Sequence, residues 1–415
     1  MKRIIPALKS RNYRLFFGGQ GLSLIGSWIT QTATIWLVYH LTNSALWLGI
    51  VGFLGQIPSF ILAPVGGIVV DRANRHRILV ITQILSMLQS LALAVLALAG
   101  IINIWHIIAL SIFQGLINVF DAPARQSFVP EMVDRKEDLA SAIALNSSLV
   151  NAARLVGPSI AGLLIAAVGS GICFLIDGIS YIAVIVALLA MKIKPRKMAA
   201  HNGNPLQRLK EGFTYAFGFP PIRAILLLLA LFSFMGTSLT ILIPIFATKI
   251  LHGGPQTLGF LMAASGVGAV TGGLYLATRR SVVGLGNVIA FSPAIVGVGL
   301  IGFSLSRVLW LSLPLLLVTG FGSILQIAAS NTVIQTIVDD DKRGRVMSLY
   351  TMSFLGMVPI GNLFAGTLAN QIGAPNTVMI GGIFCIFGSL LFAKQLPGLR
   401  KLVKPIYRNK GIEIV

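Results

Sequence analysis

The stretch Gly67-Ile68-Val69-Val70-Asp71-Arg72-Ala73-Asn74-Arg75-His76-Arg77 joins two long apolar runs, Leu46–Val70 and Ile78–Ala99, and places three arginines in the gap. Working outward, ten more apolar runs follow the same rule: positive charge fills every second gap and is nearly absent from the others. The remaining runs are Leu15–Val38, Ile104–Phe120, Ser141–Val168, Ile172–Met191, Ile222–Lys249, Leu258–Thr278, Asn287–Leu305, Leu309–Ile337, Val346–Ile372 and Thr377–Lys394. Each is near or above the roughly 20 apolar residues that a membrane-spanning helix needs. The fifth, seventh, tenth and eleventh are long enough to require tilt or protruding ends. Of 32 Lys and Arg, all but Arg154, Lys249 and Arg307 fall in the N-terminal tail, the even-numbered gaps or the C-terminal tail, or, as Arg223 and Lys394 do, at the run ends bordering them. By the positive-inside rule, both termini are cytoplasmic.

Composition supports the same class. Only 11% of the 415 residues are charged, whereas about 25% is usual for a soluble domain. The net charge of +20 would suggest nucleic acid in a soluble protein, but its confinement to alternate gaps makes it topological and leaves no nucleic-acid partner. The first run is too long for a signal sequence and no small-residue cleavage site follows it, so it is read as a helix. Cys173 and Cys385 lie in apolar runs and predict small core residues rather than a disulfide or thiolate metal site.

The predicted fold is all-α, with twelve transmembrane helices in two pseudo-symmetric six-helix bundles. The expected domains are 1–191, a cytoplasmic linker 192–221, 222–394, and a basic cytoplasmic tail 395–415. Within the linker, Asn204-Pro205 is a helix start, and Leu206, Leu209 and Phe213 share one face. The segment is therefore either a short amphipathic interfacial helix or a solvated linker. A weak repeat relates the halves: Gly66-Gly67 is echoed by Gly272-Gly273, Gln126 by Gln335, and Ala161-Gly162 and Gly169 by Ala365-Gly366 and Gly373 at one constant offset. Six-plus-six repeats of this kind are a transporter architecture.

The opening stretch resembles the cytoplasmic signature G-x-x-x-D-R-x-x-R-[RK] of the major facilitator superfamily, with His76-Arg77 at its last basic position. A carboxylate there can accept from a helix N-terminus, and arginines can pair acids on other helices. Gly67, Asp71, Arg72, Arg75 and Arg77 are therefore expected to form a gating latch, the alternative being topogenic charge alone. Asp121, read as the cytoplasmic end of the fourth helix, is expected in the same cluster beside Arg75. Asp339, Asp340 and Asp341 suit the N-terminal end of the eleventh helix. The second half has Ala277 where Asp71 would be repeated, so the latch is one-sided.

Ala153-x-x-x-Gly157-Pro158-x-x-Ala161-Gly162 is similar to the antiporter motif of the same superfamily, which implies export; plain helix packing is the alternative. The segments Phe120–Glu131, Asp138–Ser148 and Asn151–Pro158, together with Leu24–Trp28, resemble the branch containing the enterobactin exporter and macrolide-efflux proteins, also called transmembrane secretion effectors. The fourth-helix arginine of the drug-antiporter motif is absent, because this chain reads Ser111-x-x-Gln114-Gly115.

Ionisable groups inside spans are costly and are functional candidates by default. Asp177 is the only carboxylate well inside a span: it is either a proton carrier or a solvated acid near the outer end. Arg154 lies near mid-depth and is either a functional charge or a strut for backbone carbonyls. A pair between them is open, against a depth offset of roughly 10 Å from the helical rise. Polar residues at steps of three and four form faces on the first, fourth, fifth and seventh helices. Ser27, Gln31, Gln114, Asn118, Asn151 and Thr237 from these faces, with Trp28 and Gln326, are the candidates for a substrate cavity. No Walker-type loop and no metal-ligand spacing appears, so no enzyme activity, cofactor or metal is expected.

The reading is a monomeric, multi-pass exporter in a bacterial plasma membrane. It moves a small amphipathic organic solute, a drug-like compound or a siderophore, against protons by alternating access. The alternatives are a lipid flippase or importer of the same fold, and a non-transporting receptor or scaffold.

Overall fold

The computed structural model describes residues 6–192, 205–279, 281–339 and 342–410. Its helices are α1 Arg11–Thr42, α2 Ala45–Arg72, α3 Arg75–Leu98, α4 Ile104–Met132, α5 Leu139–Val168, α6 Ser170–Leu189, α7 Pro205–Gly218, α8 Pro220–Ile250, α9 Pro255–Thr278, α10 Leu285–Leu305, α11 Leu309–Ile337, α12 Arg343–Ile372 and α13 Ala374–Asn409. Among the described residues, eleven helices are long and apolar enough to cross a membrane. The twelfth span is α1, whose 32 residues suffice in length but include Gln20, Ser23, Ser27, Gln31 and Thr34. α7 is the helix expected in the linker; Phe213 and Phe217 stack on it at 4.2 Å between ring centroids, and its Glu211 pairs with Arg345 at 2.9 Å. Asn204 and the side chains of Leu206 and Leu209 lie outside the described residues.

The chain divides into two compact units, one of Met1–Asn43, Leu54–His201 and Gly253–Ala263, the other of Ser44–Phe53, Asn202–His252 and Ala264–Val415. In the first, α1 packs between α5 and α6, and α3 packs between α6 and α4. In the second, α8 packs between α12 and α13, and α10 packs between α13 and α11. The same order recurs six spans later, which is the pseudo-symmetry of the fold. The paired glycines show it locally. A Cβ on Gly66 would fall 2.1 Å from the Val119 carbonyl oxygen, and one on Gly272 would fall 2.9 Å from that of Phe321. The second glycine of each pair, Gly67 and Gly273, faces open space. Small residues admit this approach of backbones, which is how helices pack where lipid offers no hydrophobic drive.

Four elements differ from their sequence reading. α13 does not end at Lys394 but continues through the expected tail to Asn409. α4 does not end at Phe120 but continues to Met132 with Pro123 and Pro130 inside it, so Asp121 is an interior residue rather than a terminus. α8 is not one regular helix: a π turn at Ser233–Thr237 and a 3-10 turn at Ser238–Leu242 interrupt it. α12 is broken at Gly356.

Candidate functional site

The first unit gathers its buried polar groups around α1. Gly26 on one side of α1 meets α6 so closely that a Cβ there would fall 2.7 Å from Asp177 Oδ1. Gly157 of α5 approaches from another side, where its Cβ would fall 2.4 Å from that of Trp28. α1 therefore stands between Asp177 and the part of α5 that carries Arg154. Asp177 is 2% exposed, which removes the alternative of a solvated acid. Ser90 Oγ of α3 lies 2.9 Å from its Oδ2 and 3.0 Å from the Phe174 carbonyl oxygen, so its one hydroxyl hydrogen is shared between the two acceptors. Ser27 and Thr30 adjoin the carboxylate, yet Oδ1 completes no hydrogen bond of normal geometry among the described residues. Ser27 Oγ is 3.3 Å from Tyr181 Oη, one helical turn beyond Asp177.

Arg154 forms no ion pair with Asp177 among the described residues. Its guanidinium lies over the Trp28 ring, 5.3 Å from the centroid, and its Nε lacks a hydrogen-bond acceptor. A cation on an indole face is held by the ring quadrupole without needing a carboxylate.

A second polar group lies between α3 and α4. Gln114 Nε2 donates to Ser86 Oγ at 3.2 Å and to Asn118 Oδ1 at 3.3 Å, and Asn118 itself is exposed. Gln31 is also exposed, while Asn151 is half-buried and donates to the Ser147 carbonyl of its own helix at 2.9 Å. In the second unit, half-buried Thr237 bonds the Ser233 carbonyl at 2.8 Å. Gln326 is fully buried, with Ser330 as its one partner at 3.4 Å and its Oε1 unpaired among the described residues. The cavity candidates are thus distributed: Gln114 and Asn118 meet, Ser27 joins the Asp177 group, Trp28 joins Arg154, and Gln326 and Thr237 form local contacts.

The loop between α2 and α3 pairs differently from the expectation. Arg75 Nη1 reaches Glu131 Oε1 at 2.7 Å, whereas its contact with Asp71 is 3.8 Å. Asp121 is buried and pairs with Arg125 one turn along α4; it also accepts from Thr82 at 2.9 Å and Gln83 at 2.8 Å. Arg72 and Arg77 are exposed, and Asn74 caps α3 by accepting from the Arg77 amide at 3.1 Å. Asp339 accepts from Tyr215 at 3.1 Å and lies 3.5 Å from Lys342, while Asp340 and Asp341 are outside the described residues.

Ser90, Tyr181, Gln83 and Glu131 were not among the sequence candidates, and Arg125 was read only as part of the polar face of the fourth helix. A signal for part of this set was present: Gln83, Ser86 and Ser90 recur at steps of three and four along α3 and share one face. The Gly157-Pro158 segment proves to be a close-packed surface. Gly157 receives Trp28, and a Cβ on Gly162 would fall 2.8 Å from Gly259 Cα.

The sequence matches the family described as "Transmembrane secretion effector" over residues 5–403. It is 27% identical to the staphyloferrin A transporter of Staphylococcus aureus (strain NCTC 8325 / PS 47), covering 91% of this chain and 95% of that protein. It is also 27% identical to the multidrug efflux pump Tap of Mycolicibacterium fortuitum, covering 91% and 93%. Among solved structures, a bacterial homolog of the human lysosomal transporter Spinster, inward-facing and unoccupied, superposes with a TM-score of 0.67. That match has 15% identity and covers 96% of this chain and 97% of the other.

Proposed function

This chain belongs to the transmembrane secretion effector family, a group of major facilitator secondary transporters and not enzymes, and on that premise we propose that it exports a small amphipathic organic solute in exchange for protons. Its place would be the plasma membrane of a bacterium, where its curated relatives include a siderophore transporter and drug-efflux pumps.

The observation that carries the proposal is Asp177: a buried carboxylate with one oxygen held by Ser90 and the other unpaired among the described residues. An unsatisfied buried polar atom demands an explanation, and a functional proton position is one. A proton at Oδ1 would give that oxygen a hydrogen to donate, with Thr30, Ser27 and Tyr181 beside it to register the change. Arg154 on Trp28 offers a fixed cation and an aromatic wall, a combination suited to an amphipathic ligand with an anionic or polar head. Lipid tails offer no hydrogen-bond partner to exposed amides such as Gln31 and Asn118, which are suited to a solute path. The Arg75–Glu131 pair is a contact that a change of conformational state can break and remake.

The test is transport into everted vesicles and reconstituted proteoliposomes, comparing siderophores with cationic drugs, with and without an imposed pH gradient. The expected result is gradient-dependent accumulation by the wild type. Asp177→Asn should abolish uphill movement while preserving solute exchange. Uphill transport at the wild-type rate in that variant removes Asp177 from the coupling step. Absence of flux for every amphipathic solute, with or without the gradient, refutes export itself.

A further inference from the structure

The second unit holds a cavity of about 520 Å³ that the transport reading does not use. Small-ligand sites occupy about 300–1,000 Å³. Its floor is apolar and buried: Ile225 of α8, Ile289 of α10, Val333 of α11, and Phe392, Leu396 and Leu399 of α13. Its rim is basic, formed by Arg400, Lys401 and Lys404 of α13 with Asn287 at the start of α10. Arg400 donates to Asn287 Oδ1. Among the described residues, none of the three cations pairs with a carboxylate, and no Asp or Glu lines the cavity. Gly284, at a φ of 84°, starts α10 without a side-chain cap, so the positive end of a 21-residue helix adds to the same rim.

Depth in the membrane selects the occupant. α13 has 36 residues, about 54 Å at ~1.5 Å per residue. The hydrocarbon core is about 30 Å thick. The last turns of α13 therefore stand at headgroup level on the positively charged side of the protein, and exposed Leu390, Leu391 and Leu402 mark its lipid-facing flank. A soluble anion has no use for a floor of six apolar side chains, whereas a phospholipid presents a phosphodiester and acyl chains in this arrangement. Basic pockets at helix ends on the cytoplasmic side suit anionic lipid headgroups.

We propose that this cavity binds an anionic phospholipid of the cytoplasmic leaflet. The phosphodiester sits among Arg400, Lys401, Lys404 and the start of α10, and the first acyl carbons lie against Phe392, Leu396 and Leu399. The bound lipid ties the extension of α13 to α8, α10 and α11.

The test uses the purified full-length chain in a neutral detergent, supplied with phosphatidylglycerol, phosphatidylcholine or inorganic phosphate. Binding is read by native mass spectrometry and by the unfolding midpoint. One retained phosphatidylglycerol per chain and a raised midpoint are expected, with neither effect from phosphatidylcholine or phosphate. Arg400→Gln/Lys401→Gln/Lys404→Gln should weaken phosphatidylglycerol binding by about ten-fold or more, a loss of charge-assisted contacts. Arg11→Gln/Arg14→Gln/Lys394→Gln removes as many charges elsewhere and should leave binding unchanged. The proposal is overturned by equal binding of phosphatidylcholine, by the same midpoint shift from phosphate, by retained affinity in the first variant, or by equal loss in the second. If the first variant does not fold, Val283→Trp, which fills the mouth and keeps the charges, takes its place; undiminished phosphatidylglycerol affinity there overturns the proposal.

Discussion

Gly26 and Asp177 are mutually constrained, because the carboxylate occupies the space that any side chain at position 26 would need. Overpacking of this kind costs about 1–3 kcal/mol. Gly26→Val should therefore lower the unfolding midpoint in detergent, and Gly18→Val, at a position with no atom near its Cβ, should not. An equal drop in both variants would mean that helix propensity, not the Asp177 contact, sets the cost. The arginine of the α2–α3 loop gives a second residue-scale expectation. Arg75 and Glu131 are both half-buried at 2.7 Å, while Asp71 is mostly exposed at 3.8 Å. A double-mutant cycle should give a coupling energy of about 1 kcal/mol for Arg75–Glu131, and Arg75–Asp71 should fall near the few tenths typical of exposed pairs. The reverse order would refute this pairing. Asp177 was legible in the sequence because a carboxylate among some twenty apolar residues stands out. Its partner Ser90 was legible only as a member of the α3 polar face and not as a partner of Asp177, since a serine in a span usually bonds its own helix backbone, as Ser27 does to the Ser23 carbonyl at 3.0 Å.

At the scale of elements, hydropathy located the spans but not their irregularities. α8 reads as one apolar run, yet it contains π and 3-10 turns from Ser233 to Leu242 and a further π turn at Phe246–Ile250. The physical causes are local: Thr237 bonds the Ser233 carbonyl at 2.8 Å, Thr240 bonds the Thr237 carbonyl at 2.9 Å, and Pro244 supplies no N–H to the turn before it. Hydroxyls and a proline were visible in the sequence, but whether they bend a helix depends on what packs against it. Irregular turns hold weaker backbone bonds and are frequent at functional positions. Amide exchange over residues 233–250 in nanodiscs should be at least about ten-fold faster than over α10, since lower local stability raises the open population. Equal protection of the two helices would show that neighbouring helices have fully rigidified α8. The extent of α4 was missed for a related reason: the charged run from Asp121 to Glu131 reads as a loop, but Thr82, Gln83 and Arg75 of α3 satisfy its acids and let the helix continue.

For the whole molecule, the repeat was legible as a constant offset between glycines, and its meaning emerges from what each glycine faces. Gly162 of α5 and Gly366 of α12 occupy corresponding places. A Cβ on Gly162 would fall 2.8 Å from Gly259 Cα, and one on Gly366 would fall 2.6 Å from Gly49 Cα. The first contact belongs wholly to one compact unit and the second to the other. Both are backbone against backbone, so a larger side chain cannot be accommodated by rotating a neighbour. Gly162→Leu and Gly366→Leu should each cost about 1–3 kcal/mol, the range for overpacking. Because the sites share no partner, the double variant should show the sum within about 0.5 kcal/mol. The measurement is the unfolding midpoint of each variant in one detergent, with Gly67→Leu and Gly273→Leu, whose Cβ positions face open space, as the pair expected to change little. A large loss from one of the contact glycines and none from the other would show that the two halves, alike in helix order, do not share the load of close packing. A double variant far from the sum would show that the two contacts are energetically coupled.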